Sequence, residues 1–358
     1  MVAMSGGVDS SVAALMLKDA GFNPVGVTLR YWVDPLSEER AAGEHKGCCS
    51  FEAVTDARRV AQALDIPHYV MNMKDEFYNN VVSYFVEEYI KGRTPNPCIA
   101  CNRFMKFSVL LERALALDIN FLATGHYARI QYDPEKSIYR LLRGRDREKD
   151  QSYMLYVLEQ EQMPHVIFPL GDLTKKEVRE IALDRGLKVA DKRESQEICF
   201  VPDNDYRGFL NRESPNSLKP GDIISTRGEK LGEHSGIANY TIGQRRGLGI
   251  TSSRPLYVVD IIPEKNTIVV GQQEELYSSG LISETNNFVA GYPPDTPLQV
   301  EVKIRYRSPL VPATIDLIED KVKVVFDEKQ KAVTPGQAIV FYKGEEVLGG
   351  GIITTHIK

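Results

Sequence analysis

The chain has 358 residues, 42% hydrophobic and 26% charged, a composition that builds a sizeable core and excludes general disorder. Lys and Arg number 44 against 49 Asp and Glu, for a net charge of −5, a balance that taken alone speaks against a nucleic-acid partner, although only the local distribution counts at a binding face. Five cysteines exclude a disulfide scaffold, no run of about 18 apolar residues marks a membrane span, and the start MVAMSGGVDSS lacks a signal-peptide pattern, so a cytoplasmic protein with reduced thiols is expected.

The apolar start at 1–4 is shorter than the usual strand of about 5–6 residues, so either the first strand is very short or the native start lies upstream. Ser5-Gly6-Gly7-Val8-Asp9-Ser10-Ser11 comes next, followed by a helix over 10–20 that stops at Gly21. The run 25–29 (VGVTL) predicts a buried strand, 51–64 an amphipathic helix capped by Ser50, and 68–73 another strand. Helices follow over 75–91, ended by Gly92, and over 105–117, then a strand at 120–124. A helix over 174–184 carries a capping box, Thr174 with Glu177. Strands alternating with helices imply an α/β fold with a parallel, doubly wound sheet over residues 1–206. Beyond about 207 a linker-like stretch (NRESPNSLKPGD) gives way to short β runs such as PLYVVDII, LQVEVKIRY and KVKVVF. These predict a small β-rich middle domain at 207–275 and a C-terminal β-barrel at 276–358.

The glycine-rich turn between the first strand and helix is an anion cradle in prospect. Its backbone N–H groups and the helix dipole favour phosphate, and the hydroxyls of Ser5, Ser10 and Ser11 add donors. It lacks the Gly-Lys-Ser/Thr of a Walker loop and the spacing of a dinucleotide loop. SGGxDS resembles the PP-loop of ATP pyrophosphatases, which implies an adenine nucleotide alpha-hydrolase-like domain. Such enzymes cleave ATP between the α- and β-phosphates and adenylate a carbonyl oxygen, with Mg²⁺ screening the charge and Asp9 a candidate to orient it. Amidation, ligation and thiolation all use this loop, so it leaves the substrate open.

Thr94-Pro95-Asn96-Pro97-Cys98-Ile99-Ala100-Cys101-Asn102 falls between two predicted helices, on a loop stiffened by two prolines. CxxC is the spacing of redox pairs and of metal half-sites. Adjacent Cys48 and Cys49 suit one metal poorly and read as structural or supportive, and Cys199 taken alone reads as a core thiol.

The strings SGGVDSS, GCCS, TPNPCIACN, ATGHYAR, KDQSYML, ESQEICF and YTIGQRRGLGI, in this order over essentially the whole chain, give a close resemblance to the tRNA-specific 2-thiouridylases. The resemblance implies an ATP-dependent tRNA-uridine 2-sulfurtransferase acting on the wobble uridine, position 34. It implies Cys101 as the nucleophile and Cys199 as the persulfide carrier. ATP would be met by Ala3, Met4, Ser5, Gly6, Gly7, Val8, Asp9 and Ser10, with Leu29 and Gly125 near the adenine. Asn96, Pro97 and Cys98 correspond to the segment that meets the target base. His126, Lys149, Asp150, Gln151, Arg305, Tyr306 and Gln337 correspond to tRNA contacts. A monomer served by a sulfur donor, either a persulfide relay protein or a cysteine desulfurase, is expected.

Some family members carry Asp where this chain has Cys98, so a carboxylate base is lost there. Cys98, Cys101 and Cys199 together make a three-thiolate set that could hold a [4Fe–4S] cluster, an alternative sulfur carrier to the persulfide. Other PP-loop adenylating enzymes and a non-catalytic RNA-binding sulfur carrier remain the competing readings.

The run 136–149 holds Lys136, Arg140, Arg143, Arg145, Arg147 and Lys149 against Asp146 and Glu148, so six bases and two acids leave +4. With Arg245-Arg246, Arg254 and Lys303-Arg305-Arg307 it reads as a phosphate-binding surface, the alternative being a solvated hairpin. His126 is placed by its predicted strand end at the ligand-binding edge of the sheet. Trp32 is open between core and base-stacking roles.

Overall fold

Apolar strands separated by helices build a five-stranded parallel sheet in the computed structural model, which describes residues 1–40, 51–192, 198–215 and 218–358. In spatial order the strands are His68–Asn72, Gly26–Arg30, Val2–Ala3, Leu122–Ala123 and Val166–Ile167. The first strand is only two residues long, yet Val2 pairs with Gly26 on one side and Ala123 on the other. Its side chains alternate between two cores, Met1 and Ala3 in one and Val2 and Met4 in the other, as a pleated strand requires. The second core holds helices Val8–Asp19, Phe51–Ala63 and Lys175–Asp184 against the sheet. The first is larger and continuous with the C-terminal barrel, since Phe77, Phe85 and Phe107 share it with Tyr153, Tyr156 and Tyr342. Each such side chain, fully buried, contributes about 1.5–3 kcal/mol of hydrophobic stabilisation.

The cysteine segment departs from the sequence expectation of a loop. Asn96 Oδ1 accepts the N–H groups of Cys98 and Ile99, Pro97 takes the first helical position, and the helix begins there rather than at 105. It continues as a π-helix over Cys101–Leu110 and ends as Leu111–Leu115. The helix expected over 75–91 is likewise interrupted by a π segment, Tyr78–Val82, between Lys74–Phe77 and Ser83–Ile90. Cys48, Cys49 and the Ser50 cap lie outside the described residues.

A four-stranded sheet follows, ordered Tyr257–Ile262, Thr267–Gly271, Gly221–Ser225 and Lys230–His234. Six antiparallel strands then close into a barrel, because Tyr277–Phe288 pairs with both Lys321–Lys331 and the last strand, Glu346–Ile357. The hairpin Ala128–Asp133/Ile138–Arg143 extends that barrel sheet through Leu142 opposite Glu346 and Leu141 opposite Val347. Much of the predicted basic run is therefore committed to holding barrel and sheet together: Arg140 pairs with Glu346 at 2.7 Å, and Arg129 and Arg147 both pair with Glu345. Arg145 is paired with Glu177 at 3.2 Å.

Candidate active site

The first strand stops at the point where neighbours lie on either side of it, and its glycine turn opens into the crevice at that switch in strand order. Gly6 sits at φ +69°, and a Cβ there would lie 2.2 Å from the carbonyl oxygen of Ala53, so only glycine fits. The Ser10 and Ser11 hydroxyls donate to the Gly7 carbonyl at 3.2 and 2.8 Å, while Ser10 Oγ accepts the Ser5 N–H at 3.1 Å. The loop is thus shaped before any ligand arrives, with the N-terminus of helix Val8–Asp19 behind it. Gly125 closes down on it, since a Cβ at that position would lie 2.7 Å from Ser10 N.

A cavity of about 240 Å³ lies over this loop, walled by Ala3, Met4, Ser5, Asp9, Ser10, Leu29 and Gly125, seven of the residues expected at ATP. Of the other three, Gly6 packs on Ala53, Gly7 accepts the serine hydroxyls, and Val8 is buried in the core. Val27, Tyr31, Lys106, Thr124, His126 and Gln151 complete the wall. His126, expected at tRNA, is therefore placed at the nucleotide cavity. Desolvation, and then the charge of Lys106, hold its imidazole well below the ordinary histidine range.

Sequence reasoning missed two lysines here. Lys175 Nζ donates to both oxygens of Asp9 at 2.7 Å, and the Tyr127 hydroxyl donates to Asp9 Oδ1 at 2.7 Å. The capping box of Thr174 and Glu177 was legible and marks where that helix starts, but not that Lys175 at its first position reaches the loop. Lys106 stands one π-turn beyond Cys101, a spacing that a 3.6-residue period does not reveal.

A second, larger cavity of about 1330 Å³ shares Asp9 and Gln151 with the first. Asn96, Cys98, Lys149, Asp150, Arg305, Tyr306 and Gln337 line it, which brings together most of the residues expected at tRNA from three distant parts of the chain. Six cations, Arg143, Arg147, Lys149, Lys303, Arg305 and Arg307, face three carboxylates, Asp9, Glu148 and Asp150. Asp150 is spent on structure: it accepts the N–H groups of Gly144 and Ser152 at 3.1 Å and Arg143 Nε at 3.0 Å. Burial pulls Lys303 and Arg305 below their ordinary values, a desolvation that an incoming phosphate would offset. Gln337 Nε2 donates to the Thr94 carbonyl at 2.8 Å, so the barrel itself holds the start of the cysteine segment.

Of the three cysteines, Cys98 lines a cavity and Cys101 borders one through Tyr31. Cys98 is exposed and lines the basic one, whereas Cys101 Sγ lies 3.7 Å from the Tyr31 hydroxyl in the wall of the nucleotide cavity. Tyr31 stacks on Phe77 at 4.3 Å, and Phe77 meets Phe200, the neighbour of Cys199, edge-on at 5.8 Å. Cys101 and Cys199 therefore border one aromatic cluster. Among the described residues no group of three His, Cys, Asp or Glu side chains is arranged to hold a metal ion, so the three thiols are not gathered as cluster ligands. Trp32 is half-buried against the first core, 5.1 Å from Tyr78 and 6.1 Å from Phe209.

A phosphate loop at the switch of a parallel sheet, joined to a small β domain and a closed barrel, defines a HUP-type nucleotide-binding protein with β-rich appendages. Family descriptions agree: a tRNA methyl transferase HUP domain matches residues 1–203, a tRNA methyl transferase PRC-barrel domain 207–272, and an aminomethyltransferase beta-barrel domain 278–353. The tRNA-specific 2-thiouridylase MnmA 1 of Caldanaerobacter subterraneus subsp. tengcongensis is 53% identical over 100% of this chain and 98% of its own length. The tRNA-specific 2-thiouridylases MnmA of Carboxydothermus hydrogenoformans and Natranaerobius thermophilus are 52% and 53% identical, each over 99% of this chain and 96% of their own. The chain belongs to the tRNA-specific 2-thiouridylase family. Among the described residues no helix is long and apolar enough to cross a membrane.

Proposed function

We propose that the protein is a tRNA-uridine 2-sulfurtransferase that uses ATP to replace the C2 oxygen of uridine 34 with sulfur. The observation that carries this reading is one cysteine segment that meets two adjoining cavities, with Cys98 lining the basic one and Cys101 Sγ 3.7 Å from Tyr31 in the wall of the one over the phosphate loop. The basic cavity takes the anticodon loop through its phosphates, and the target base leaves its stack to reach Cys101. MgATP lies along the loop. The uridine O2 attacks the α-phosphorus, the bond to the bridging oxygen breaks, and pyrophosphate departs into the N–H cradle; the N3 proton goes to water.

O2-adenylation converts a poor leaving group into AMP. The terminal sulfur of a Cys199 persulfide then adds to C2, and AMP leaves with the C2–O electron pair. The Cys101 thiolate attacks the Cys199 sulfur, forming a Cys101–Cys199 disulfide and releasing 2-thiouridine, whose N3 regains a proton. An external thiol reduces the disulfide, and a persulfide relay protein or cysteine desulfurase reloads Cys199. The protein works as a monomer in the cytoplasm. In a coupled assay with unmodified tRNA, one pyrophosphate is expected for each 2-thiouridine formed, with little release when tRNA is omitted. Full pyrophosphate release without tRNA contradicts the reading.

A further inference from the structure

The π winding of Cys101–Leu110 sets Cys101 and Lys106 about one turn apart, and Lys106 lines the nucleotide cavity together with Ser5, Asp9 and Ser10 of the phosphate loop. Its Nζ is held by neutral acceptors, Asn102 Oδ1 at 3.0 Å and the His126 ring Nε2 at 3.4 Å. Both are fixed in turn. Asn102 is 1% exposed and donates to the Met154 carbonyl at 3.0 Å, while His126 Nδ1 lies 2.6 Å from Thr124 Oγ1. Among the described residues no carboxylate pairs with Lys106, and the one carboxylate in the cavity wall, Asp9, is tied to Lys175. Among the described residues the cavity wall therefore keeps one cation, Lys106, that no carboxylate compensates.

We propose that Lys106 is a catalytic residue for adenylation, contacting the α-phosphate and stabilising the charge that builds there as the pyrophosphate bond breaks. This rests on the function proposed above. The phosphate loop can serve the leaving pyrophosphate, and Lys106, lining the same cavity, is the cation left to meet the adjoining α-phosphate. A preorganised donor in such a position acts mainly on the transition state.

The test is single-turnover pyrophosphate release from ATP and unmodified tRNA by wild type, Lys106→Met, Lys106→Gln and Lys106→Arg, with melting curves and calorimetric binding of α,β-methylene-ATP. Lys106→Met and Lys106→Gln are expected to slow release by about 10²–10³-fold. Analogue affinity is expected to fall no more than about fivefold, and Lys106→Arg to recover at least about tenfold of the lost rate. Release by both neutral variants within about threefold of wild type overturns the assignment, as does a loss that arginine fails to restore in a protein melting normally. Wild-type turnover of ATP independent of tRNA counts against the proposed function while the variant comparison stays readable; a wild type with no turnover overturns both.

Discussion

Cys199→Ser is expected to abolish 2-thiouridine formation, by about 10³-fold or more, while the single-turnover rate of tRNA-dependent pyrophosphate release stays within a few-fold of wild type. The asymmetry follows from the order of events. Adenylation needs the phosphate loop, Lys106 and the positioned base, none of which involves the Cys199 sulfur. Sulfur delivery needs a persulfide, and a hydroxyl cannot carry one. Cys199 packs beside Phe200 in the aromatic core, where Ser is a small change in volume, so the fold should survive. Cys101→Ser is expected to differ from it by trapping tRNA on Cys199 as a mixed disulfide, visible as a mass shift that a reductant reverses. Equal loss of pyrophosphate release and thiolation in Cys199→Ser would place that cysteine in adenylation instead.

The second large effect is expected at Gly6. An alanine there takes a left-handed backbone, costing roughly 1–2 kcal/mol, and its Cβ would lie 2.2 Å from the Ala53 carbonyl oxygen. Backbone on both sides must move, and the moving parts are the phosphate loop and the helix Phe51–Ala63 that Lys192 ties to it through Asp56 and the Gly6 carbonyl. ATP-dependent pyrophosphate release should fall about 10²-fold or more, because misplacing the reacting groups by an ångström is sufficient for that. Gly186→Ala is the control: its φ of +65° carries the same strain, but nothing lies within 4 Å of the new Cβ. It should lose about 1 kcal/mol of stability and keep its rate. Comparable activity loss in both variants would show that strain, not loop geometry, is responsible.

What the sequence disclosed was mostly local. The SGGVDS turn and the capping box at Thr174 each announce themselves within a dozen residues, and the parallel sheet and barrel show as successions of such local runs. The capped helix start at Asn96-Pro97 was equally local but was hidden by reading two prolines as loop. Long-range pairings were not legible. The basic run at 136–149 read as a tRNA surface, and Arg143, Arg147 and Lys149 do line the basic cavity, but the pairing of Arg140 and Arg147 with Glu346 and Glu345, about two hundred residues on, could not be read. Lys175 answers Asp9 from 166 residues away, and no periodicity links them. The cysteines were identified by motif, but that Cys98 lines the basic cavity while Cys101 Sγ meets the Tyr31 hydroxyl depends on long-range packing that a CxxC spacing does not carry.

The central claim is chemical: sulfur replaces the C2 oxygen of one uridine in tRNA at the expense of ATP. The direct test digests unmodified tRNA to nucleosides after incubation with the protein, ATP, Mg²⁺ and either sulfide or a cysteine desulfurase with cysteine, and analyses them by mass spectrometry. The expected result is 2-thiouridine, mapped by fragmentation to position 34, appearing only when ATP is present. Absence of 2-thiouridine with every sulfur source, or a methylated nucleoside in its place, contradicts the account.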